Sequence, residues 1–208
     1  MSKASGGPSG QLRIVGGAWR RNVLPVAPVE GLRPTPDRVR ETLFNWLGQD
    51  CTGWRVLDAF AGTGALGFEA ASRGAAEVLF VEQNRKAIDF LNSNRSTLLG
   101  RWQGDWGPKP VLTVRQGEAC ATLAALKPAA PFDLIALDPP FGTDLMHRCL
   151  PALGRLAGPS TLIYIEWGES LAGFESDLAS KAALHNIALL RQLKAGKVHA
   201  HLFGSATV

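Results

Sequence analysis

The chain has 208 residues, of which 46% are hydrophobic and 19% are charged, a balance typical of a water-soluble globular protein with a sizeable core. No apolar run is long enough to cross a membrane. The first ten residues, MSKASGGPSG, lack the apolar centre of a signal peptide, and we expect a flexible lead-in there.

The net charge of +4 is concentrated near the N-terminus. Residues 1–40 hold seven Lys or Arg against two acids, whereas the rest of the chain is nearly neutral. This asymmetry favours an acidic partner, nucleic acid first, over a merely solvated surface. The candidate phosphate contacts are Arg13, Arg20, Arg21, Arg33, Arg38 and Arg40. Some of them could instead pair with Asp37 or Glu41.

Residues 11–50 are predicted to form a basic arm, a small β-hairpin followed by a helix, that packs on the core. Short apolar pieces around Gly16-Gly17 favour the hairpin. In the stretch LRPTPDRVRETLFNWLG, Thr35 suits a helix N-cap, Pro36 the first helical position and Gly48 the C-terminal cap. The helix N-terminus is then open to an anion.

Residues 51–208 alternate predicted strands with predicted helices. The strands are 54–60, 77–82, 111–116, 132–138 and 160–167, and the helices are 65–74, 84–100, a segment from about 119, and 144–156. Two final strands, 182–193 and 197–203, are predicted to form an antiparallel hairpin. The alternation predicts a Rossmann-like, doubly wound and mainly parallel sheet in an α/β fold.

A glycine loop follows the first of these strands. In LDAFAGTGALG, Gly62, Gly64 and Gly67 have the spacing of a dinucleotide fingerprint. Asp58 argues against a dinucleotide, because a carboxylate there would repel a pyrophosphate. It suits a ligand with a cation at that place, such as S-adenosylmethionine, which carries an ammonium and a sulfonium but no phosphate.

An acidic residue lies at or near the end of each of the first four predicted strands. Glu82 could accept the hydroxyls of a ribose, with Gln83 at the adenine edge. Glu118 or the Ala119 N–H could read the adenine amino group and ring nitrogen. One such acid is more often a helix cap, but four of them beside a glycine loop favour a ligand site.

The fourth strand ends in LIALDPPF. Neither proline has an N–H for a sheet ladder, so the strand must stop at Asp138. The Asp138 carboxylate and the Pro139 carbonyl could hold both hydrogens of a planar exocyclic amine and orient its nitrogen toward a methyl donor. Asp138 could also take the released proton, and Phe141 could stack on an extruded base. The plain alternative is a proline turn with a capping aspartate.

These motifs together resemble a known family. The stretches RIVGGAWR, GLRPTPDRVRETLFNWL, LDAFAGTGALGFEAASRGA and DPPF are similar to the RsmD-type 16S rRNA guanine-N2 methyltransferases, from about residue 11 to 203. DPPF alone indicates only methylation of a base amino group. The resemblance implies a seven-stranded sheet of the class I methyltransferase type and S-adenosylmethionine as cofactor. It also implies 16S rRNA as partner, within the 30S subunit or an assembly intermediate, and we expect a monomer.

The chain departs from the family at Gly117-Glu118-Ala119, where the family has Asn-Ser-Ala or Asn-Asp-Ala, so the adenine contact stays open. Trp102 and Trp106 have no counterpart and could stack on RNA or pack inside. The candidate cofactor contacts are Asp58, Phe60, Gly62, Thr63, Gly64, Glu82, Gln83, Glu118 and Ala119. The candidate catalytic residues are Asp138, Pro139, Pro140 and Phe141.

Three alternatives stay open on the sequence. The first is an amino methyltransferase (N6-adenine or N2-guanine) acting on another RNA or on DNA. The second is a nicotinamide-dependent oxidoreductase, which would need glycine or an apolar residue in place of Asp58. The third is a non-catalytic RNA-binding module that keeps the cofactor pocket.

The three cysteines, Cys51, Cys120 and Cys149, match neither a disulfide framework nor a zinc site. We therefore predict a reducing, cytoplasmic compartment. We expect no bound metal, because no histidine has acidic or cysteine partners at ligand spacing. The histidines are His147, His185, His199 and His201.

Overall fold

The N-terminal segment begins with a two-stranded antiparallel sheet. The computed structural model describes residues 10–171, 173–196 and 198–206, so residues 1–9 of the predicted lead-in lie outside the described part. Strand β1 (Gln11–Arg13) pairs with β2 (Val23–Pro25), which confirms the predicted hairpin. Helix α1 (Asp37–Trp46) follows.

The rest of the described chain alternates strands and helices. These elements are β3 (Arg55–Asp58), α2 (Ala65–Ser72), β4 (Glu77–Glu82), α3 (Arg85–Gly100), β5 (Val111–Gln116), α4 (Ala119–Ala125), β6 (Phe132–Leu137), α5 (Leu145–Leu156), β7 (Ala157–Trp167), α6 (Glu175–Ala182), β8 (Ile187–Ala195) and β9 (Val198–Ser205). A short 3-10 turn at Gly104–Trp106 interrupts the loop before β5.

Seven of these strands form one sheet in the order β5-β4-β3-β6-β7-β9-β8. The first five in this order are parallel, and β9 runs antiparallel to both of its neighbours. This arrangement confirms the predicted Rossmann-like, mainly parallel seven-stranded sheet. Strand order reverses between β3 and β6, so a crevice opens beyond their carboxyl ends.

Alternate residues of the strands point to opposite faces, and each face has its own apolar core. Val56 of β3 faces a cluster that includes residues of α1, α2, α3 and the N-terminal hairpin. Leu57 faces a second cluster with residues of α4, α5 and α6. The N-terminal segment is part of the first core, since Trp19 and Phe44 are completely buried in it.

The C-terminal third differs from the sequence prediction. Residues 182–193 were predicted as one strand, but α6 ends at Ala182 and β8 begins only at Ile187. Leu178 and Ala182 bury one side of α6, and Ala183 adopts a left-handed conformation (φ 56°) that stops the helix. Apart from Ala182, the residues wrongly predicted as strand are the connection 183–186, and the sequence did not predict α6.

Two of the cysteines are paired, so the prediction of no disulfide was wrong for them. Cys120 of α4 and Cys149 of α5 form a disulfide between adjacent helices, and Cys51 is free and buried. Residues 29 apart in sequence meet because both helices lie on the same face of the sheet. Among the described residues, no helix has the length and apolar character of a membrane span.

Candidate active site

A cleft of about 840 Å³ lies at the carboxyl ends of the parallel strands. The acids predicted from the strand ends all line it: Asp58, Glu82, Glu118 and Asp138. Segment 29–36, which precedes α1, lines it from the other side. The topology thus brings together residues as far apart in sequence as Val29 and Val198, as expected at a switch point.

The glycine loop is fixed by two strand-terminal acids. Asp58 Oδ2 accepts the Gly67 N–H at 3.0 Å, and Glu82 Oε2 accepts the Gly62 N–H at 2.8 Å. Gly64 has φ 77°, and a Cβ there would lie 2.5 Å from the ring of Phe68. The loop therefore needs its glycines for backbone conformation and close packing.

Asp58 is buried, and no described residue places a cation beside it. Its side chain is on the core face of β3, and the residue is 3% exposed. Burial raises the pKa of Asp58 to about 7, an effect increased by the charges of Glu82 and Glu166 and reduced by the Gly67 hydrogen bond. Such a carboxyl group suits a positively charged ligand, whose arrival would favour ionisation.

Glu82 is held rigidly at the tip of β4. Besides the Gly62 N–H, its carboxylate accepts the N–H groups of Gln83 at 2.9 Å and Asn84 at 2.7 Å. Asn84 in turn caps α3 by accepting from Lys86 and Ala87. The Glu82 carboxylate is thus oriented before any ligand binds.

Glu118 caps α4 with one carboxylate oxygen. Its Oε2 accepts the Ala121 N–H at 2.7 Å, whereas its Oε1 is buried and has no hydrogen-bond partner among the described residues. The nearest cation to Oε1 is Nη2 of Arg148, at 3.7 Å. Glu118 and Ala119 both line the cleft, and an adenine contact there stays a prediction.

The Asp-Pro-Pro-Phe turn begins where β6 ends, directly beside β3. Asp138 is half-buried, Pro139 is buried and Pro140 is exposed. Thr143 donates its hydroxyl to the Pro140 carbonyl at 2.7 Å and so closes the turn. Phe141 is 45% exposed, which leaves one face of the ring free.

Glu166 is an acid of this site that the sequence analysis missed. It lies near the end of β7, lines the cleft and is only 2% exposed. The Tyr164 hydroxyl donates to its Oε1 at 3.0 Å, and the side chain of Thr35 donates to it as well. The available signal was the one used for the other four acids, a carboxylate at a strand end.

Thr35 therefore has a different role from the one predicted. The N-cap position of α1 is Pro36, and no side chain caps the helix. The Thr35 hydroxyl bonds to Glu166 across the cleft wall instead. Because the residue before a proline favours an extended conformation, Thr35 is kept outside the helix.

Arg40 was predicted to contact phosphate, and the structure corrects this. Its side chain is completely buried between Glu69 and Asp37, with Nη1 3.0 Å from Glu69 Oε2 and Nη2 2.6 Å from Asp37 Oδ1. A guanidinium held in this way does not reach solvent. Arg13 pairs with Asp37 as well, at 2.6 Å, but keeps 60% of its side chain exposed.

The other candidate arginines are exposed and fall into two groups. Arg33 lines the cleft and Arg38 lies in the first turn of α1, so both are near the site. Arg20 and Arg21 follow Trp19, whose N–H donates to Ser72 at the C-terminus of α2. Because α2 runs back from the cleft, these two arginines lie at the opposite end of the sheet.

Trp102 and Trp106 form part of an aromatic cluster beside the N-terminal segment. Trp102 makes an edge contact with buried Trp19 at 5.3 Å between centroids and with Trp106 at 5.7 Å. Trp102 therefore packs, whereas Trp106 is 41% exposed. Among the described residues, no group of three or more His, Cys, Asp or Glu could hold a metal ion.

Solved structures with the same fold include methyltransferases. The chain is similar to the Escherichia coli protein yhhF, described as a methyltransferase, with a TM-score of 0.73, 36% identity and coverage of 94% of this chain and 98% of that one. A Thermus thermophilus 16S rRNA N2 methyltransferase, RsmC, in complex with AdoMet and guanosine, shares the fold at 20% identity, with a TM-score of 0.67 over 95% of this chain and 50% of that one. The fold and the acidic cleft define an S-adenosylmethionine-dependent methyltransferase.

The particular family follows from the sequence comparison. The chain belongs to the family described as Conserved hypothetical protein 95, whose model matches residues 12–204. It is similar to Ribosomal RNA small subunit methyltransferase D of Escherichia coli K12, at 39% identity over 98% of this chain and 94% of that protein. The protein of the same name from Haemophilus influenzae is 39% identical over 76% of this chain and 79% of its own length.

Proposed function

We propose that the protein transfers a methyl group from S-adenosylmethionine to the exocyclic N2 amine of a guanine in 16S rRNA. The observation that carries this proposal is the placement of Asp138-Pro139-Pro140-Phe141 beside the glycine loop, within one cleft. The relatives named Ribosomal RNA small subunit methyltransferase D, similar over nearly the whole chain, support the choice of substrate. A small-subunit rRNA substrate would place the protein in the cytoplasm.

The residues around the glycine loop fit this donor. Among the described residues, the cleft wall carries acids and no phosphate-binding cation beside Asp58, which suits a ligand with a sulfonium and an ammonium. When bound, S-adenosylmethionine supplies an electrophilic methyl group. Asp58 would hold the amino-acid end, directly or through water, while Phe60, Thr63 and the glycines line the donor's path. Glu82 would accept from the ribose, with Gln83 and Glu118 near the base.

The Asp-Pro-Pro-Phe turn would hold the acceptor. The amine of guanine is a poor nucleophile, since its lone pair is delocalised into the ring. The Asp138 carboxylate and the Pro139 carbonyl would accept its two hydrogens and fix the nitrogen in line with the methyl group. The exposed face of Phe141 would stack on the extruded base, and Pro140 stiffens the turn.

Exposed arginines around the cleft would position the RNA backbone. Arg33 and Arg38 are nearest the site, and Arg13 has an exposed side chain in the same segment. Arg20 and Arg21 would contact only RNA that extends to the far end of the sheet. A substrate of that extent is consistent with a folded RNA in the 30S subunit or an assembly intermediate.

A transfer assay tests this function. Labelled S-adenosylmethionine is incubated with 30S particles lacking the modification, with free 16S rRNA or with DNA, and the digested product is identified by mass spectrometry. We expect N2-methylguanosine in 16S rRNA and a loss of about a hundredfold or more in transfer with Asp138→Ala, with donor binding retained. Methylation of DNA alone, methylation of adenine N6, or unchanged turnover of the variant would contradict the proposal.

A further inference from the structure

Glu166 lies next to Asp138 although the two are far apart in sequence. Strands β6 and β7 pair in parallel with Ala136 opposite Tyr164 and Leu137 opposite Ile165. The next residue of each strand, Asp138 and Glu166, therefore comes side by side. Because alternate residues share a face, both carboxyl groups point to the face that also holds Tyr164.

Asp58 adds a third carboxyl group to this face. It pairs with Ala136, two residues before Asp138, on the other neighbour of β6. Among the described residues, none of these three acids forms an ion pair with Lys, Arg or His. Three like-charged groups at adjacent strand tips cannot all ionise freely in a cleft.

Among the described residues, the groups that face this cluster leave it short of positive charge. Glu82 is the next acid along the sheet, and β9 presents Ala200 opposite Glu166. Segment 29–36 contributes the exposed Glu30 and Arg33, and behind it the guanidinium of Arg40 is bound to Glu69, Asp37 and two backbone carbonyls. Arg148 of α5 is paired with Glu118 and Asp144.

Hydrogen bonds make the protonation of Glu166 different from that of its neighbour Asp138. Burial raises the pKa of Glu166, but the hydroxyls of Tyr164 and Thr35 both donate to its carboxylate and oppose that rise. Among the described residues, no such donor reaches Asp138, and burial together with the charges of Glu166 and Asp58 raises its pKa well above the usual range. The arrangement favours a negative Glu166 beside a protonated Asp138.

We propose that Glu166 is a positioning residue that makes Asp138 a proton acceptor only after the positively charged methyl donor has bound. In the free protein, one of these two carboxyl groups carries a proton. The sulfonium cation brings the missing positive charge to the cleft, and the proton leaves to solvent. Asp138 is then ionised and ready to accept hydrogen bonds from the amine.

The charge balance closes over one turnover. In the transfer step the bond from sulfur to the methyl carbon breaks, its electron pair stays on sulfur, and the amine nitrogen forms the new bond to carbon. The nitrogen then gives one proton to Asp138. The cleft loses the sulfonium charge and regains a proton. When the product S-adenosylhomocysteine dissociates, one carboxyl group of the pair is therefore protonated again, as in the free protein.

This inference rests on the proposed function and is tested first by binding alone. Isothermal titration of the full chain with S-adenosylmethionine and with S-adenosylhomocysteine, in buffers of low and high ionisation enthalpy, counts the protons released. At pH 8, where Asp58 is already largely ionised in the free protein, we expect about one proton per S-adenosylmethionine and clearly fewer per S-adenosylhomocysteine, which lacks the sulfonium. At pH values below the midpoint of this proton release, the Kd for the donor should fall by about tenfold for each unit by which the pH rises.

Three variants test whether Glu166 is responsible for this proton release. Glu166→Gln keeps the shape and removes the charge, and should lower proton release by more than about half and move the acidic midpoint of kcat down by about one pH unit. Thr35→Val removes one donor to Glu166 and no charge, and should lower the proton release less than Glu166→Gln does. Glu169→Gln makes the same chemical change at an exposed site beyond the same strand and should behave as wild type.

The outcomes separate the two proposals. Equal proton release with both ligands, or none with either, would overturn the role of Glu166 even if transfer is confirmed. A lack of donor binding would overturn both the role and the proposed function. If the circular dichroism spectrum shows that Glu166→Gln does not fold, the proton release of the wild-type protein with the two ligands still tests the proposal.

Discussion

Arg40 and Glu69 form an ion pair in which both side chains are completely buried, with 3.0 Å between Nη1 and Oε2. The same guanidinium donates to the backbone carbonyls of Thr35 at 3.1 Å and Arg13 at 2.7 Å. It thereby connects α1 and α2 to the segment that forms one wall of the cleft. The N-terminal arm is held to the core by a charged network as well as by apolar packing.

Removal of Arg40 should destabilise the protein strongly. Arg40→Met leaves Glu69 with Arg73 as its only ion-pair partner among the described residues and leaves two carbonyls without their donor. We expect the free energy of unfolding to fall by about 3 kcal/mol or more, measured by urea denaturation. Arg38→Met, on the exposed side of the same helix, should change it by less than about 0.5 kcal/mol. Equal losses in the two variants would contradict the structural role.

Arg40 also shows what the sequence could not reveal. Charge counting indicates how many arginines the arm contains, but a buried arginine is identified only when its acidic partner is known. Glu69 is 29 residues away on another helix, and no local pattern links the two. Thr35 is a similar case, because its bond to Glu166 crosses most of the chain.

The sheet and the glycine loop were predictable, since their signals are local. Strand alternation, the glycine spacing and Asp58 all lie within short windows, and the two prolines after Asp138 end a strand wherever they occur. The missed α6 is only Glu175–Ala182 and its apolar side is short. The pairing of Cys120 with Cys149 depends on how two helices pack, which spacing alone does not encode.

The acid at Asp58 should make stability depend on pH. Its pKa in the free folded protein is raised to about 7, above its value in the unfolded chain, so the folded state binds more protons between about pH 4 and 7. The contribution of Asp58 to the free energy of unfolding is therefore greatest at low pH. It falls as the pH rises, by at most about 1.4 kcal/mol per pH unit.

Asp58→Asn isolates this contribution, because the amide oxygen can still accept the Gly67 N–H. The difference in unfolding free energy between wild type and variant, measured in urea from pH 4 to 8, should change in favour of the variant as pH rises. A difference that stays constant over this range would show that Asp58 is already ionised in the free protein.

Gly64 should be intolerant of any side chain. It has φ 77°, and an added Cβ would lie 2.5 Å from Phe68 and 2.7 Å from Leu91. Gly64→Ala should cost about 1–2 kcal/mol for the left-handed conformation and about 1–3 kcal/mol more for overpacking, and should weaken donor binding. Gly48→Ala is the control, with φ 83° but open space around the added carbon. If thermal unfolding shows that Gly64→Ala and Gly48→Ala lose the same stability, overpacking around Gly64 does not contribute.

Phe141 should act on the RNA substrate and not on the donor. Its ring is 45% exposed and touches Trp167 edge-on at 6.5 Å between centroids, so a face is free for stacking. Loss of about 1–3 kcal/mol of base stacking in Phe141→Ala should lower kcat/KM for the RNA by about 5-fold to 150-fold. Phe141→Tyr should retain most of it. An equal loss of donor affinity in a binding titration would contradict this division.

Arg33 should bind the RNA backbone at the cleft. It is exposed and lines the site, whereas Arg20 is equally exposed at the far end of the sheet. Each phosphate contact removed should lower the slope of log Kd against log salt by about 0.7–0.9, because fewer counterions are released. We expect this change with Arg33→Ala for a short RNA that contains the target guanine, and none with Arg20→Ala. Filter binding across a salt series measures both slopes, and a larger change for Arg20→Ala would mean that the RNA enters from the opposite end.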